Sequence, residues 1–456
     1  MPILPIDSGR YGTAEMRRVF EEEVRLQRML DVENALAWAQ AQLGVIPKRN
    51  AEEIMSKASI RYVSVEQVKE IEKATKHEVM AMVEALSKAC GQSGLYIHLG
   101  ATSSDILDTG MALQIKDAVG IIGKELDELE EVLLALTEKY RETVMMGRTH
   151  GQHALPITLG LKFAVWLREI SRHIERLRQV RRRILVGKMT GAVGTQAGLG
   201  PKAPKIQRLV MNRLGLGVPE VTTQIVQRDR YAELICLLAI IASTLDKFAI
   251  EIRNLQRPEI AEISEAFDVK KQIGSSTMPH KRNPVTSEKI CGLSKVMRGL
   301  VIPALEDVPT WHERDLTQSS CERFIIPEGF VILDEMLSST IKVLSDLFVD
   351  EKMMRRNIDI TQGRALSEAV MIKLAMKGMA RQDAYKLAHD LALKSEEKKK
   401  PFRETLLADS AVRERLSARE IDSALNPKNY LGTAVKQVEE AVKKARLERK
   451  RRGLKC

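Results

Sequence analysis

An all-α fold is predicted for this chain, and three long stretches predict it. In the first, Met111, Ile115, Val119, Ile122, Leu126, Leu129, Leu133, Leu136 and Tyr140 recur at steps of three and four. Phe163, Leu167, Ile170, Ile174 and Leu177 repeat the pattern, as do Leu234, Leu238, Ile241, Leu245, Phe248, Ile252 and Leu255. Such spacing places apolar side chains on one stripe of a helix, in the heptad-like manner of helices that cross at a shallow angle. Helices of about 25 to 30 residues are roughly 40 Å long, more than one subunit covers neatly. The expectation is therefore a central long-helix bundle that assembles into a multi-subunit helical core. Three domains are expected: an N-terminal helical domain (1–103), the central bundle (104–347) and a C-terminal helical domain with shorter periods (348–456).

The 456 residues are 44% hydrophobic and 29% charged, as in soluble globular proteins. No apolar run is long enough to span a bilayer, and Met1-Pro-Ile-Leu-Pro5 lacks the basic start and apolar centre of a signal peptide. A cytoplasmic protein without a membrane partner is expected. The five cysteines, Cys90, Cys236, Cys291, Cys321 and Cys456, lack metal-ligand spacing, so no metal site is expected. A net charge of +11 suits a protein that handles anions. Much of the surplus lies in Lys443 to Lys455 and in Arg176 to Arg183. With aromatics at 4% and no nucleic-acid motif, solvated helix faces account for these runs better than nucleic-acid binding.

Taken in order, residues 13–43 read as one helix, preceded by Arg10 and Tyr11 in a glycine-flanked turn. Residues 64–90 read as a second, carrying Lys76-His77-Glu78. After His98 comes Thr102-Ser103-Ser104-Asp105, whose hydroxyls suit helix capping and the holding of a carboxylate or phosphate equally well. Gly147, Gly151 and Pro156 are expected to place Thr149 and His150 in a loop, where the imidazole could move a proton near neutral pH. Thr190 to Gly200 lacks the Gly-Lys-Ser/Thr ending of a phosphate loop and reads as a flexible connection.

The densest chemistry lies in Gly274-Ser-Ser-Thr-Met-Pro-His-Lys-Arg-Asn-Pro284. Ser275 and Ser276 supply hydroxyls, and Lys281 and Arg282 fixed charge. Asn283-Pro284 reads as a helix cap and first residue, placing the loop at the positive pole of a helix that carries Glu288. A polar surface turn is the competing account. Further on, Trp311-His-Glu-Arg314-Asp-Leu-Thr-Gln-Ser319-Ser-Cys-Glu-Arg323 offers arginines and hydroxyls suited to phosphate or carboxylate. Trp311 and Cys321, residue types usually buried, argue there against an exposed turn.

Gly-Ser-Ser-x-Met-Pro-x-Lys-x-Asn-Pro resembles the signature loop of the fumarase/aspartase superfamily, whose members release fumarate by elimination. The resemblance extends to the adenylosuccinate lyase branch. It rests on His77 in Lys-His-Glu, His98 with Thr102-Ser103, Gly-Arg-Thr149-His150-Gly-Gln-His, Gln224 in Thr-Thr-Gln, and Trp-His-Glu-Arg-Asp with Ser-Ser-x-Glu-Arg. This chain departs at Glu78, Ala101 and Cys321, where that branch often has Asp, Leu and Val. The resemblance implies a three-domain fumarase/aspartase-like fold and a homotetramer with active sites shared between subunits. It also implies cleavage of adenylosuccinate and of succinylated aminoimidazole carboxamide ribotide, two anionic nucleotides, with no cofactor. By resemblance Ser276 is the base and His150 the acid, with Ser275, Lys281 and Glu288 assisting. Thr102, Ser103, Lys281 and Asn283 would hold the succinyl carboxylates. Arg10, Tyr11, Arg314, Ser319 and Arg323 would hold the phosphate end, and Lys76, His77, Glu78, His98, Thr149 and Gln224 would line the site. Other superfamily members, a silent structural relative and a nucleic-acid binder are the rival readings.

Overall fold

The computed structural model describes residues 8–267 and 277–454. The helix expected at 13–43 is two, α1 (Ala14–Val19) and α2 (Glu22–Gln42). α1 is capped by the Thr13 hydroxyl, which accepts the Met16 N–H at 3.2 Å. After α3 (Lys48–Lys57), the stretch expected as one helix at 64–90 also divides, into α4 (Val65–Thr75) and α5 (Glu78–Cys90). The break is local: Lys76 takes a left-handed conformation at φ 54°, which ends α4, and His77 then caps α5 by accepting the Met80 N–H on Nδ1.

The three striped segments form α6 (Ser103–Lys139), α7 (Leu159–Ile184) and, after α8 (Ala203–Leu214), α9 (Asp229–Leu255). Every apolar position named for α9 is at most 2% exposed. The segment between α6 and α7 is a β-hairpin and not the expected loop, with β1 (Val144–Thr149) antiparallel to β2 (Gln152–Thr158). Its turn is His150-Gly151, both at positive φ (54° and 74°), the conformation that a two-residue hairpin turn requires. A one-residue irregularity between Met146 and Arg148 marks a bulge at Gly147.

Next come β3 (Ile263–Ser264), α10 (Val285–Gly299), α11 (Val301–Glu306), α12 (Thr317–Ser345) and β4 (Phe348–Val349), which pairs with β3. The C-terminal part is built of α13 (Glu351–Asp359), α14 (Ser367–Met376), α15 (Arg381–Glu397), α16 (Phe402–Leu407), α17 (Ser410–Arg413), α18 (Ala418–Ala424) and α19 (Ala434–Arg451). Among the described residues, no helix is long and apolar enough to cross a membrane.

The chain divides into two compact units. The first comprises Met1–Asp127, His173–Asp246 and Ile290–Ser339, and the second Glu128–Arg172, Lys247–Lys289 and Thr340–Cys456. The core of the first unit includes Leu30, Ile54, Met82, Leu86 and Ile106, all fully buried. In the second, Phe402, Leu406, Val412 and Ile421 close the small helices on one another, and the Trp166 and Phe248 rings stack at 4.4 Å.

The basic C-terminal helix is solvated on one face only. Its other face pairs with acids of α6: Arg446 with Glu138 at 2.6 Å, buried Arg449 with Glu131 at 2.9 Å, and Arg452 with Glu130. Glu448 returns the exchange through a bidentate pair with Arg168 at 2.8 and 3.0 Å.

Candidate active site

In the first unit, α2, α6, α9, α12 and the segment before α12 converge on a cleft. It is lined by Arg25, Ser104, Gln114, Arg314, Ser319 and Arg323 over a floor of Asp108, Arg228 and Glu322. Guanidinium groups and a hydroxyl converging on a recess are chemically suited to a multiply charged oxyanion. Several of the sequence-predicted residues meet at this cleft or beside it. Arg314 donates to Gln224 Oε1 at 3.0 Å. Arg323 donates to Glu78 at 3.3 Å, and Glu78 is itself chelated by Arg25. Burial works against ionisation of Glu78, yet Arg25 and Arg323 hold its carboxyl below the usual range.

His77 Nε2 lies 3.3 Å from Ser103 Oγ. His98, at φ 61°, sets Nδ1 2.6 Å from buried Glu33 and donates its backbone N–H to the same carboxylate at 3.2 Å. Burial opposes charge on His98, but the hydrogen bond and charge of Glu33 outweigh it and raise the imidazole pKa.

At the start of α6 the Asp105 carboxylate accepts the Thr102 N–H at 2.8 Å. The Thr102 hydroxyl makes no hydrogen bond among the described residues and stays available. Lys76 is exposed beside His77, and Arg10 is exposed and Tyr11 half-buried on the N-terminal segment, outside the cleft lining. That segment is fastened by Gly12 N–H to Glu335 at 2.9 Å and by the Thr13 hydroxyl to Asp334 at 3.0 Å.

In the second unit, Thr149 and His150 are exposed at the tip of the hairpin. Lys281 and Glu288 are exposed and Asn283 is half-buried. Ser275 and Ser276 lie outside the described residues. The helix after the signature loop begins at Val285, with the Glu288 N–H bonded to Pro284 O at 2.9 Å, so Pro284 stands at the cap and Asn283 one residue outside. Its positive pole is not open to an anion, contrary to the sequence reading. Glu265 already accepts the Thr286 and Ser287 N–H groups at 3.3 and 2.6 Å and the Ser287 hydroxyl at 2.6 Å. Trp311 is a second correction: it is 79% exposed, so its residue type gave no support for a buried turn, and Cys321 is half-buried.

Residues 9–299 match the family model described as "Lyase", and residues 363–441 that described as "Adenylosuccinate lyase C-terminus". The chain is 52% identical over 454 residues to the adenylosuccinate lyase of Pyrococcus abyssi, covering 100% of both chains. It is 49% identical over 444 residues to that of Methanocaldococcus jannaschii, covering 97% of this chain and 96% of the other.

The chain belongs to the adenylosuccinate lyase family.

It is thus a lyase of purine biosynthesis with the all-α fold of the fumarase superfamily. Among solved structures it resembles a fumarate lyase from Mesorhizobium sp. BNC1 (TM-score 0.89, 32% identity, 97% of this chain and 100% of that one). It also resembles the 3-carboxy-cis,cis-muconate lactonizing enzyme of Pseudomonas putida (TM-score 0.89, 33% identity, 98% and 100%). The lower identity to the muconate enzyme, beside a closely similar fold, separates the family from the superfamily.

The residues that hold the site together were given no such role in the sequence, although Asp105 and Glu322 stand within segments quoted there. Asp105 pairs with Lys188 at 2.5 Å, both side chains wholly buried, and accepts the N–H groups of Thr190 and Gly191 at 2.8 and 3.1 Å. The glycine-rich segment is thereby tied to the start of α6. Arg228 chelates Asp108 at 2.8 and 3.0 Å and Glu322 at 2.5 and 3.0 Å. Burial pushes the Glu322 carboxyl up to about 7, although Arg228 pulls the other way. The available signal was a lone cation in an apolar run, Val186-Gly-Lys-Met189, and two acids three apart, Asp105 and Asp108, near the start of α6.

Proposed function

We propose that the chain cleaves adenylosuccinate to AMP and fumarate, and succinylated aminoimidazole carboxamide ribotide to its carboxamide product and fumarate. The observation that carries this reading is the joining of Arg314, Ser319 and Arg323 in one oxyanion cleft, on a chain 52% identical to an adenylosuccinate lyase. The phosphate end binds there, with Arg10 and Tyr11 completing the site. Thr102, Ser103, Lys281 and Asn283 take the succinyl carboxylates, and Lys76, His77, Glu78, His98, Thr149 and Gln224 shape the remainder.

In the reaction, Ser276 removes the proton on the carbon beside a succinyl carboxylate. The electron pair forms the double bond of fumarate, the C–N bond breaks, and His150 protonates the departing nitrogen. With the α10 pole occupied by Glu265, activation of Ser276 falls to the charge of Lys281 and to exclusion of water. Ser275 and Glu288 assist the base and the acid.

The working form is a homotetramer whose sites draw on several subunits, in which unit-one residues of one chain complete unit-two residues of another. The division into domains 1–103, 104–347 and 348–456 belongs to the same reading.

Ultraviolet loss of adenylosuccinate tests the reaction. A purified tetramer inert on adenylosuccinate but active on a carboxymuconate would replace this reading with that of a cycloisomerase. His150→Ala and Ser276→Ala are each expected to lower kcat by at least ~10². Mixing the two inactive variants is expected to restore activity, and inert re-formed hybrids would place each site within one subunit.

A further inference from the structure

We propose that Glu262 is a positioning residue for the proton transfer assigned to His150, acting through Arg148; this rests on the functional reading above. Glu262 is fully buried just before β3, where an unpaired carboxylate would cost several kcal/mol. It is chelated instead: Arg148 donates to its two oxygens at 2.9 and 2.7 Å, and Asn357 of α13 donates at 2.9 Å. Its backbone is fixed as well, with the N–H bonded to Leu255 O at 3.0 Å and the carbonyl accepting Asp350 N–H at 2.9 Å. The carboxylate is therefore a rigid point joining the end of α9, β3 and α13.

Arg148 lies on β1, two residues before His150 and just past the bulge. Beyond Glu262, it also donates to Met146 O at 3.2 Å, so one guanidinium spans the irregular step. A bulged strand can exchange register, and a shift of one residue turns every following side chain to the opposite face. Register here decides which way Thr149 and His150 point. A planar guanidinium held on two carboxylate oxygens resists rotation and sliding, whereas an apolar contact or a single ammonium does not. Glu262 is thereby the reference against which the acid's direction is set, although it touches no substrate.

The test compares Glu262→Gln and Arg148→Lys with the wild type, using adenylosuccinate, with thermal unfolding and tetramer mass measured alongside. Each variant is expected to lose about 10-fold or more in kcat, the scale of an ångström-level misplacement. KM is expected to stay within about two-fold, because the oxyanion cleft belongs to the other unit. The double variant is expected to be no slower than the slower single one, since both changes break the same contact. Folded tetramers with wild-type kcat, losses that multiply in the double variant, or a change confined to KM would overturn the proposal. Failure of both variants to fold would also overturn it, in favour of a purely structural role. An inactive wild type would instead refute the functional reading on which it rests.

Discussion

Replacing Arg228 with methionine isolates the worth of the buried charge cluster on the floor of the cleft. Methionine retains much of the side chain's apolar stem and removes the cation. Five hydrogen bonds of the guanidinium vanish, to Asp108 at 2.8 and 3.0 Å, to Glu322 at 2.5 and 3.0 Å and to Val226 O at 2.7 Å, and two buried carboxylates lose their counterion. Breaking a buried pair costs about 3–5 kcal/mol, most of it the penalty of the charge left behind. Without Arg228 the Glu322 carboxyl moves further up, since burial already raises it to about 7 with the cation present. A raised folded-state carboxyl binds a proton that the unfolded chain has released, so stability falls as pH rises. The deficit of Arg228→Met is therefore expected to be full at pH 8 and smaller at pH 5. Denaturant midpoints at fixed protomer concentration measure it, because the proposed homotetramer would make stability concentration-dependent. The triple variant Arg228→Met/Asp108→Asn/Glu322→Gln removes every charge of the cluster, and the new amide oxygen at position 108 can still accept the Val226 N–H that Asp108 now accepts. It is expected to recover most of the loss. A loss below about 1 kcal/mol, or one equal at the two pH values, would refute the argument.

Three further outcomes are expected. The His98 imidazole, raised by Glu33, contributes stability that is complete below the ordinary histidine value of about 6.5 and is lost as pH rises through its folded-state value. Unfolding of wild type between pH 6 and 9 should show that decline, and Glu33→Gln should flatten it. Asp105→Asn leaves Lys188 buried without its counterion; a loss of about 3–5 kcal/mol is expected, with a rise in KM if Thr102 and Ser103 bind the succinyl group. Gly151→Ala forces a Cβ onto a residue at φ 74°; about 1–2 kcal/mol of hairpin strain is expected, read as a fall in kcat larger than any change in KM.

Helical stripes were legible in the sequence because burial imposes its period directly. Leu234 to Leu255 could be read without a partner in view, since every third or fourth residue had to face the core. The ends of elements were less legible. The break at Lys76-His77 hangs on one residue entering the left-handed region, which lysine seldom does and composition does not signal. The hairpin at 144–158 was hidden for a similar reason, as His-Gly is a weaker turn signal than Asn-Gly and the strands carry Gly147 and Pro156. The motif residues of the site could be named in advance, but Lys188, Arg228 and Glu262, and the buried pairing of Asp105, could not. Charged residues are expected at the surface, and only the fold shows that their partners are brought to meet them inside.

Those buried charges share a placement. Asp105 lies two residues past Ser103, Glu322 beside Arg323, and Glu262 reaches the His150 hairpin through Arg148. In each case a carboxylate with little or no exposure is held by a cation, next to side chains proposed to bind substrate. Well-packed apolar residues would hold the same elements together at least as firmly, because burying an ion pair gains little net stability. What an apolar contact does not fix is rotation and register: it permits sliding at small cost, whereas two oxygens facing two nitrogens permit one arrangement. The clusters are thus better explained as devices that set direction than as devices that add stability. The Arg228 triple variant separates the two roles. Stability should return when the charges are removed together, while KM for adenylosuccinate stays raised, because Arg323 and Gln224 would no longer be referenced to α6 through Arg228.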